Sequence, residues 1–110
     1  MKFPLSIFAA ICFALVVATP AGASRPLVSA QIMAKTTRVH NCEEPVWNVR
    51  GSIYAGGLGW RLALWPEFKA PSFPRSMADA TPEQQAWAMA HFVAKTLHYW
   101  PDQHGCTGGY

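Results

Sequence analysis

Two adjacent glutamates, Glu43 and Glu44, lie between a cysteine and a tryptophan in the segment Asn41-Cys42-Glu43-Glu44-Pro45-Val46-Trp47. A carboxyl group that is held against apolar rings has a raised pKa, and it can then act as a general acid near neutral pH. The alternative is that both glutamates are solvated residues at the end of a helix. Side chains of adjacent residues point apart, so a proton shared between Glu43 and Glu44 is not expected.

The beginning of the chain is typical of an export signal. Lys2 precedes an apolar run over residues 5–18, and residues 19–23 offer a small-residue cleavage site. We expect cleavage after Ala23 and a location outside the cell or in the cell envelope. Stable membrane insertion is not expected, because a transmembrane helix needs about 20 apolar residues.

The remaining residues, 24–110, are enough for one small domain. Removing Lys2 with the signal leaves eight of the nine basic residues against six acidic ones, a net charge near +2. This excess is too small and too scattered to indicate a nucleic-acid partner, although it suits an anionic cell envelope.

The cysteines and histidines could staple the domain or bind a metal. Cys12 leaves with the signal, so Cys42 and Cys106 remain and predict one disulfide. Such a bond closes a long loop and stabilises the fold by roughly 4 kcal/mol. Two free thiols or half of a metal site are the alternative reading. No zinc-binding spacing is present among the histidines at positions 40, 91, 98 and 104, so neither a metal nor a cofactor is expected.

The first half of the domain predicts a helix followed by turns. Residues 24–37 are expected to form a flexible or loosely helical lead, followed by a short helix that ends near Cys42 to Glu44, before Pro45. The glycines at positions 51, 56, 57 and 59 predict turns and a small β-hairpin between Val46 and Trp60.

The second half predicts two helices. Residues 62–68 form a short candidate, and Thr81, Pro82 and Gln84 give the capping box of a long helix that is expected to reach about Tyr99. Its buried stripe is predicted to contain Ala86, Ala90, Val93 and Leu97. The five tryptophans, at positions 47, 60, 65, 87 and 100, could form a core or line a carbohydrate cleft.

An ordered set of short motifs resembles the transglycosylase-like domain of the bacterial resuscitation-promoting factors. The set covers residues from about 38 to 106 and consists of Cys42-Glu43, Trp47, Tyr54-x-Gly56-Gly57-Leu58, Trp65, Ala80-Thr81-Pro82-Glu83-Gln84-Gln85 and Pro101-x-x-x-Gly105-Cys106. The resemblance implies a small α+β, mainly helical, lysozyme-like domain over residues 38–110, with a short hairpin and one disulfide.

The resemblance also implies cleavage of peptidoglycan glycan strands, by hydrolysis or by lytic transglycosylation, with Glu43 as the acid. Substrate-binding positions are then expected at Trp47, Tyr54, Gly57, Trp60 and Trp65. A monomer is expected, with a second cell-wall enzyme as a possible partner. The alternative is a weakly active or inactive relative that binds cell-wall glycan or a protein partner.

Two departures from the family pattern bear on this choice. The loop after Glu43 is one residue shorter and contains Pro45, and Gly59 stands where the family has glutamine. The surroundings of Glu43 offer a further criterion. An ion pair with Arg38 or Arg50 would hold its carboxylate ionised and count against an acid role, whereas an open groove beside aromatic rings would favour it.

Overall fold

The computed structural model describes residues 25–110, so the predicted export signal lies outside the described residues. In chain order the elements are helix α1 (Ala30–Glu43), strands β1 (Tyr54–Ala55) and β2 (Trp60–Arg61), helix α2 (Leu64–Phe68), a 3₁₀ turn (Met77–Asp79), helix α3 (Pro82–Phe92) and a π-helical turn (Val93–Leu97). The predicted α+β, mainly helical class is confirmed. No helix within residues 25–110 is long and apolar enough to cross a membrane.

Helix α1 extends over part of the segment that the sequence assigned to a loose lead. The Ser29 hydroxyl caps its first turn by accepting a hydrogen bond from the Ile32 amide at 3.2 Å. The hydroxyls of Thr36 and Thr37 donate to carbonyl oxygens one turn earlier, each at 2.8 Å, so these polar side chains are satisfied within the helix. The helix ends at Glu43, and Glu44 is its extended C-cap.

The predicted hairpin is present and is short. Strands β1 and β2 are antiparallel, with Tyr54 opposite Arg61 and Ala55 opposite Trp60. The turn between them contains Gly56 at a φ of 78° and Gly59 at a φ of 69°. Residues with side chains rarely adopt these left-handed dihedrals, which explains the glycines at these two positions.

Helix α3 begins as the sequence predicts and ends earlier. The Thr81 hydroxyl accepts from the Gln84 amide and the Gln84 side chain accepts from the Thr81 amide, each at 3.0 Å, which completes the capping box. After Phe92 the chain continues as the π-helical turn, and His98 terminates it with a left-handed φ of 63°. The predicted end at Tyr99 is therefore wrong by seven residues for the α-helix.

The buried face of α3 also differs from the predicted stripe. Ala86 and Val93 are buried as expected, whereas Ala90 and Leu97 are only partly buried. The face instead includes Ala88, Met89 and the polar Gln85, all fully buried. This rotation occurs because Gln85 bonds to backbone groups of the hairpin segment, a requirement that hydrophobic periodicity does not report.

The core is assembled around Trp60, which is 1% exposed. Its ring lies 5.1 Å from that of Phe92, 6.1 Å from Phe68 and 6.5 Å from Trp65, measured between centroids. These tilted and edge-on arrangements are the favourable geometries for aromatic pairs. The hairpin, α2 and α3 are thereby packed together through one side chain of β2.

The predicted disulfide is confirmed. Cys42 and Cys106 are joined with a Cα–Cα distance of 5.3 Å, across 64 residues of sequence. Since Cys42 is in the last turn of α1, the bond places the C-terminal segment beside Glu43. The disulfide therefore determines which residues can surround Glu43, the proposed acid.

Candidate active site

Glu43 lies at the mouth of a cavity of about 400 Å³, called here the acid groove. The groove is bounded by the end of α1, the hairpin, the start of α2 and the C-terminal segment. Its lining residues are Glu43, Glu44, Tyr54, Gly59, Trp60, Arg61, Leu64, Gly108, Gly109 and Tyr110. Glu43 therefore lines an open groove that has aromatic rings in its walls.

The environment of Glu43 keeps its carboxyl group protonated to unusually high pH. The pKa of Glu43 is raised from its ordinary value of 4.5 to about 7, and burial is the largest cause. The other contributions to this rise are a hydrogen bond to Asp102, the charge of Asp102 and the charge of Glu44. A carboxyl group with such a pKa can donate a proton near neutral pH.

The two arginines that could have held Glu43 ionised are engaged elsewhere. Arg50 forms an ion pair with Asp79. Arg38 donates to the Gln103 side chain at 3.4 Å. Within residues 25–110, the ion pair between Arg50 and Asp79 is the only one between side chains. Glu43 thus meets the criterion of an acid without a cationic partner.

Asp102 is the buried neighbour of Glu43. It is 3% exposed and adopts a left-handed φ of 62°. Its Oδ1 accepts hydrogen bonds from the Thr107 amide at 2.6 Å and the Thr107 hydroxyl at 2.8 Å. Its buried Oδ2 has no hydrogen-bond partner among the described residues. A hydrogen bond between the Glu43 and Asp102 side chains contributes to the raised pKa of Glu43, because protonated Glu43 can donate to the Asp102 carboxylate.

Asp102 carries no motif of its own, and the sequence analysis did not nominate it for the site. A signal nevertheless exists. Asp102 precedes Cys106 by four residues, and Cys106 is bonded to Cys42, which precedes Glu43. Two carboxylates that flank the two ends of one disulfide must lie near each other.

Tyr110 forms another wall of the groove that the sequence did not indicate. Its hydroxyl donates to the Leu58 carbonyl oxygen at 2.5 Å. Burial, followed by the negative charge of Glu43, raises the pKa of this hydroxyl, so it remains a donor throughout the neutral range. The bond fixes the C-terminal segment against the hairpin turn.

The predicted substrate-binding residues divide into two groups. Tyr54 and Trp60 line the acid groove with Glu43, whereas Trp47, Gly57 and Trp65 do not. Trp47 stacks on His40 with ring centroids 3.9 Å apart, and a Cβ on Gly57 would lie 2.6 Å from the Trp47 ring.

These contacts give Trp47 and Gly57 structural roles outside the groove. The Trp65 indole N–H donates to the Pro74 carbonyl oxygen at 2.8 Å, and its ring lines a different cavity.

The turn that carries Gly57 is fixed by the buried side chain of Gln85. Its Oε1 accepts from the Gly57 amide at 2.8 Å, and its Nε2 donates to the carbonyl oxygens of Trp47, Met77 and Ala80 at 3.0 to 3.3 Å. His40 completes the support, since its Nδ1–H donates to the Gly57 carbonyl oxygen at 2.8 Å. The hairpin turn is thus held by buried polar side chains whose hydrogen bonds are satisfied.

Gly59 leaves room for the proposed acid. A Cβ at this position would lie 3.3 Å from both Cβ and Oε1 of Glu43, and the backbone has a φ of 69°. The absence of a side chain at Gly59 therefore permits the close approach of the turn to the carboxyl group.

Gly59→Ala should destabilise the fold by about 1–2 kcal/mol, because alanine is strained at positive φ and its methyl group would press on Glu43. Urea denaturation of the variant beside the wild type measures this loss. Gly108→Ala is the matched control, since its φ of 76° is close to that of Gly59 but nothing lies within 4 Å of an added Cβ. Equal losses in the two variants would refute the contact with Glu43 as a cause.

Comparison with known proteins adds no relative: no family model, no curated protein and no solved structure matches this chain. Within the described part of the chain, no group of three or more histidine, cysteine, aspartate or glutamate side chains could hold a metal ion.

Proposed function

We propose that this protein is exported and cleaves the glycan strands of peptidoglycan at the acid groove, with Glu43 as the general acid of a lysozyme-like domain. The observation that carries the proposal is a carboxyl group with a pKa of about 7 in an open groove, which forms no ion pair with a side chain of residues 25–110. The resemblance of the motif set around Cys42-Glu43 to the transglycosylase-like family supplies the substrate class.

The reaction begins with a proton transfer. Glu43 donates its proton to the glycosidic oxygen as the bond between this oxygen and the anomeric carbon breaks. Before transfer, the Asp102 carboxylate accepts the hydrogen bond from Glu43 and orients the proton. After transfer, the two neighbouring carboxylates repel each other, which favours the return of a proton to Glu43.

The nucleophile completes the cycle. Either a water molecule or the 6-hydroxyl of the muramyl residue attacks the anomeric carbon and gives its proton to the Glu43 carboxylate. Water yields a reducing end, and the 6-hydroxyl yields a 1,6-anhydro sugar. Asp102 shares a hydrogen bond with Glu43, so it lies too close to serve as the opposing carboxylate of a glycosidase, for which the separation is about 5–9.5 Å.

One observation favours the non-catalytic alternative, in which the groove only binds glycan or a protein. The C-terminal segment forms a wall of the groove, and Tyr110 is bonded to the hairpin turn. A groove narrowed in this way could hold a strand without the distortion that cleavage requires. Such a protein would sediment with peptidoglycan and release nothing from it.

The test is to incubate disulfide-bonded protein, residues 24–110, with purified peptidoglycan and to analyse the soluble fraction by mass spectrometry. Released muropeptides are the expected result, and their reducing or anhydro ends identify the nucleophile. Protein that binds the pellet without releasing muropeptides would establish the binding alternative. Absence of both release and binding would refute a role on this substrate.

A further inference from the structure

A second cavity, of about 300 Å³, adjoins strand β2, as the acid groove does. It is called here the basic cavity, and its principal lining residues are Ala55, Arg61, Trp65, Lys69, Arg75 and Met77. Trp60 and Arg61 line both cavities, so β2 is their common wall. A ligand that occupies the acid groove could therefore reach the basic cavity with a side branch.

The floor of the basic cavity is apolar and well ordered by packing. Trp65 and Met77 are each 2% exposed, and Ala55 is 6% exposed. The Trp65 indole is fixed by its bond to the Pro74 carbonyl oxygen. Small-molecule sites commonly combine such an apolar lining with a few polar groups that orient the ligand.

The polar groups here are cationic. Arg61, Lys69 and Arg75 line the cavity, and no aspartate or glutamate does. None of the three cations forms an ion pair with a side chain of residues 25–110. Lys69 makes only long hydrogen bonds, of 3.4 and 3.5 Å, to the carbonyl oxygens of Ala70 and Phe73. The charge of the cavity is thus uncompensated.

This combination selects an anion that also carries apolar groups. An inorganic anion has no apolar part for the floor, and an acidic dipeptide provides both carboxylates and methyl groups in a volume that suits a small cavity. Arginine side chains recognise carboxylates through paired N–H donors. A carboxylate bound in this cavity would pair with cationic side chains that have no acidic partner within residues 25–110.

We propose that the basic cavity binds a short acidic peptide. The identity of the peptide rests on the function proposed above. It is the carboxylate-bearing stem that branches from a muramyl residue of the glycan strand. The glycan lies in the acid groove, and its peptide branch crosses β2 so that carboxylates meet Arg61, Lys69 and Arg75. The protein would then favour strands that retain their peptides over naked glycan.

The test uses L-alanyl-D-isoglutamate as a probe and follows the NMR spectrum of ¹⁵N-labelled protein during titration. Peptide-induced shifts are expected at the Trp65 indole and the Lys69 amide. The same peptide with its carboxylates converted to amides should leave these signals unchanged. A chito-oligosaccharide without peptide should instead shift Tyr54 and Gly59 in the acid groove.

A matched pair of variants tests the charge. Arg75→Ala should weaken binding of the acidic peptide about tenfold or more, the loss expected for one charged hydrogen-bonding partner. Arg25→Ala removes an exposed arginine that lines neither cavity and should leave the affinity unchanged. Equal effects of the two substitutions would attribute binding to net charge and overturn the site.

Other outcomes also decide the matter. Equal shifts with the amidated peptide, or no shift at the basic cavity, would overturn the proposal. These results are independent of cleavage, because the dipeptide contains no glycosidic bond. Muropeptide release without peptide binding would support the proposed cleavage activity and refute the peptide site. Peptide binding without release would support the peptide site and refute its connection to cleavage of a glycan strand.

Discussion

Glu43→Gln should reduce release of muropeptides by about 100-fold or more, the loss typical of removing a general acid. Glutamine preserves the shape of the side chain and cannot donate an acidic proton to the glycosidic oxygen. The measurement is the initial rate of release from peptidoglycan, with products quantified by mass spectrometry. Glu83→Gln, in the first turn of α3, is the matched control and should retain the wild-type rate.

Glu43→Gln should lower activity but raise the free energy of unfolding at a pH above the pKa of Glu43. In the folded state the pKa of Glu43 is about 7, against an ordinary value of 4.5. The folded protein therefore binds more protons than the unfolded chain between these values, and the free energy of unfolding falls as pH rises through this interval. The penalty is fully present above the folded pKa, and glutamine does not carry it.

Thermal unfolding should thus show Glu43→Gln to be more stable than the wild type at about pH 8 and equal to it at about pH 4. An inactive variant that is also less stable at the higher pH would indicate damage to the fold, and its inactivity would no longer identify the acid. Equal rates of release from the variant and the wild type would reject Glu43 directly. The two measurements together separate loss of chemistry from loss of structure.

Local signals in the sequence predicted much of the fold. The disulfide follows from cysteine count and export, the start of α3 from a capping box, and the hairpin from its glycines. The early start of α1 was missed because Thr36 and Thr37 lower helix propensity, a cost offset by their bonds to backbone carbonyl oxygens. The π-helical turn that follows α3 ends at a left-handed His98, which no propensity indicates.

The site was predicted less completely than the fold. Glu43 could be proposed from its neighbours in sequence, but the groove is closed by residues that are distant along the chain, including Gly108 and Tyr110. Aromatic type alone did not distinguish Tyr54, which lines the groove, from Trp47, which stacks on His40. That distinction depends on tertiary packing, because Trp47 stacks on a side chain of helix α1.

Asp102→Asn should shift the alkaline limit of activity to lower pH. The substitution removes the negative charge that raises the pKa of Glu43, and it replaces an acceptor of the Glu43 proton with an amide that can donate to the Glu43 carboxylate. Both changes favour ionised Glu43. Above its pKa, each unit by which that pKa falls reduces the protonated fraction, and with it the rate, about tenfold.

The measurement is the pH profile of muropeptide release, compared with the profile of Thr107→Val. That variant removes the hydroxyl donor to the Oδ1 of Asp102 and keeps the Thr107 amide donor and the carboxylate charge. If Asp102 only supports the C-terminal segment, both variants should lower the rate equally at every pH. The pH at which the rate falls on the alkaline side should then be unchanged. If Asp102 holds the proton on Glu43, Asp102→Asn should recover much of the wild-type rate at acidic pH, where Glu43 is protonated without help. If the rate of Asp102→Asn still declines near pH 7 on the alkaline side, Asp102 does not set the pKa of Glu43, and burial is its main cause.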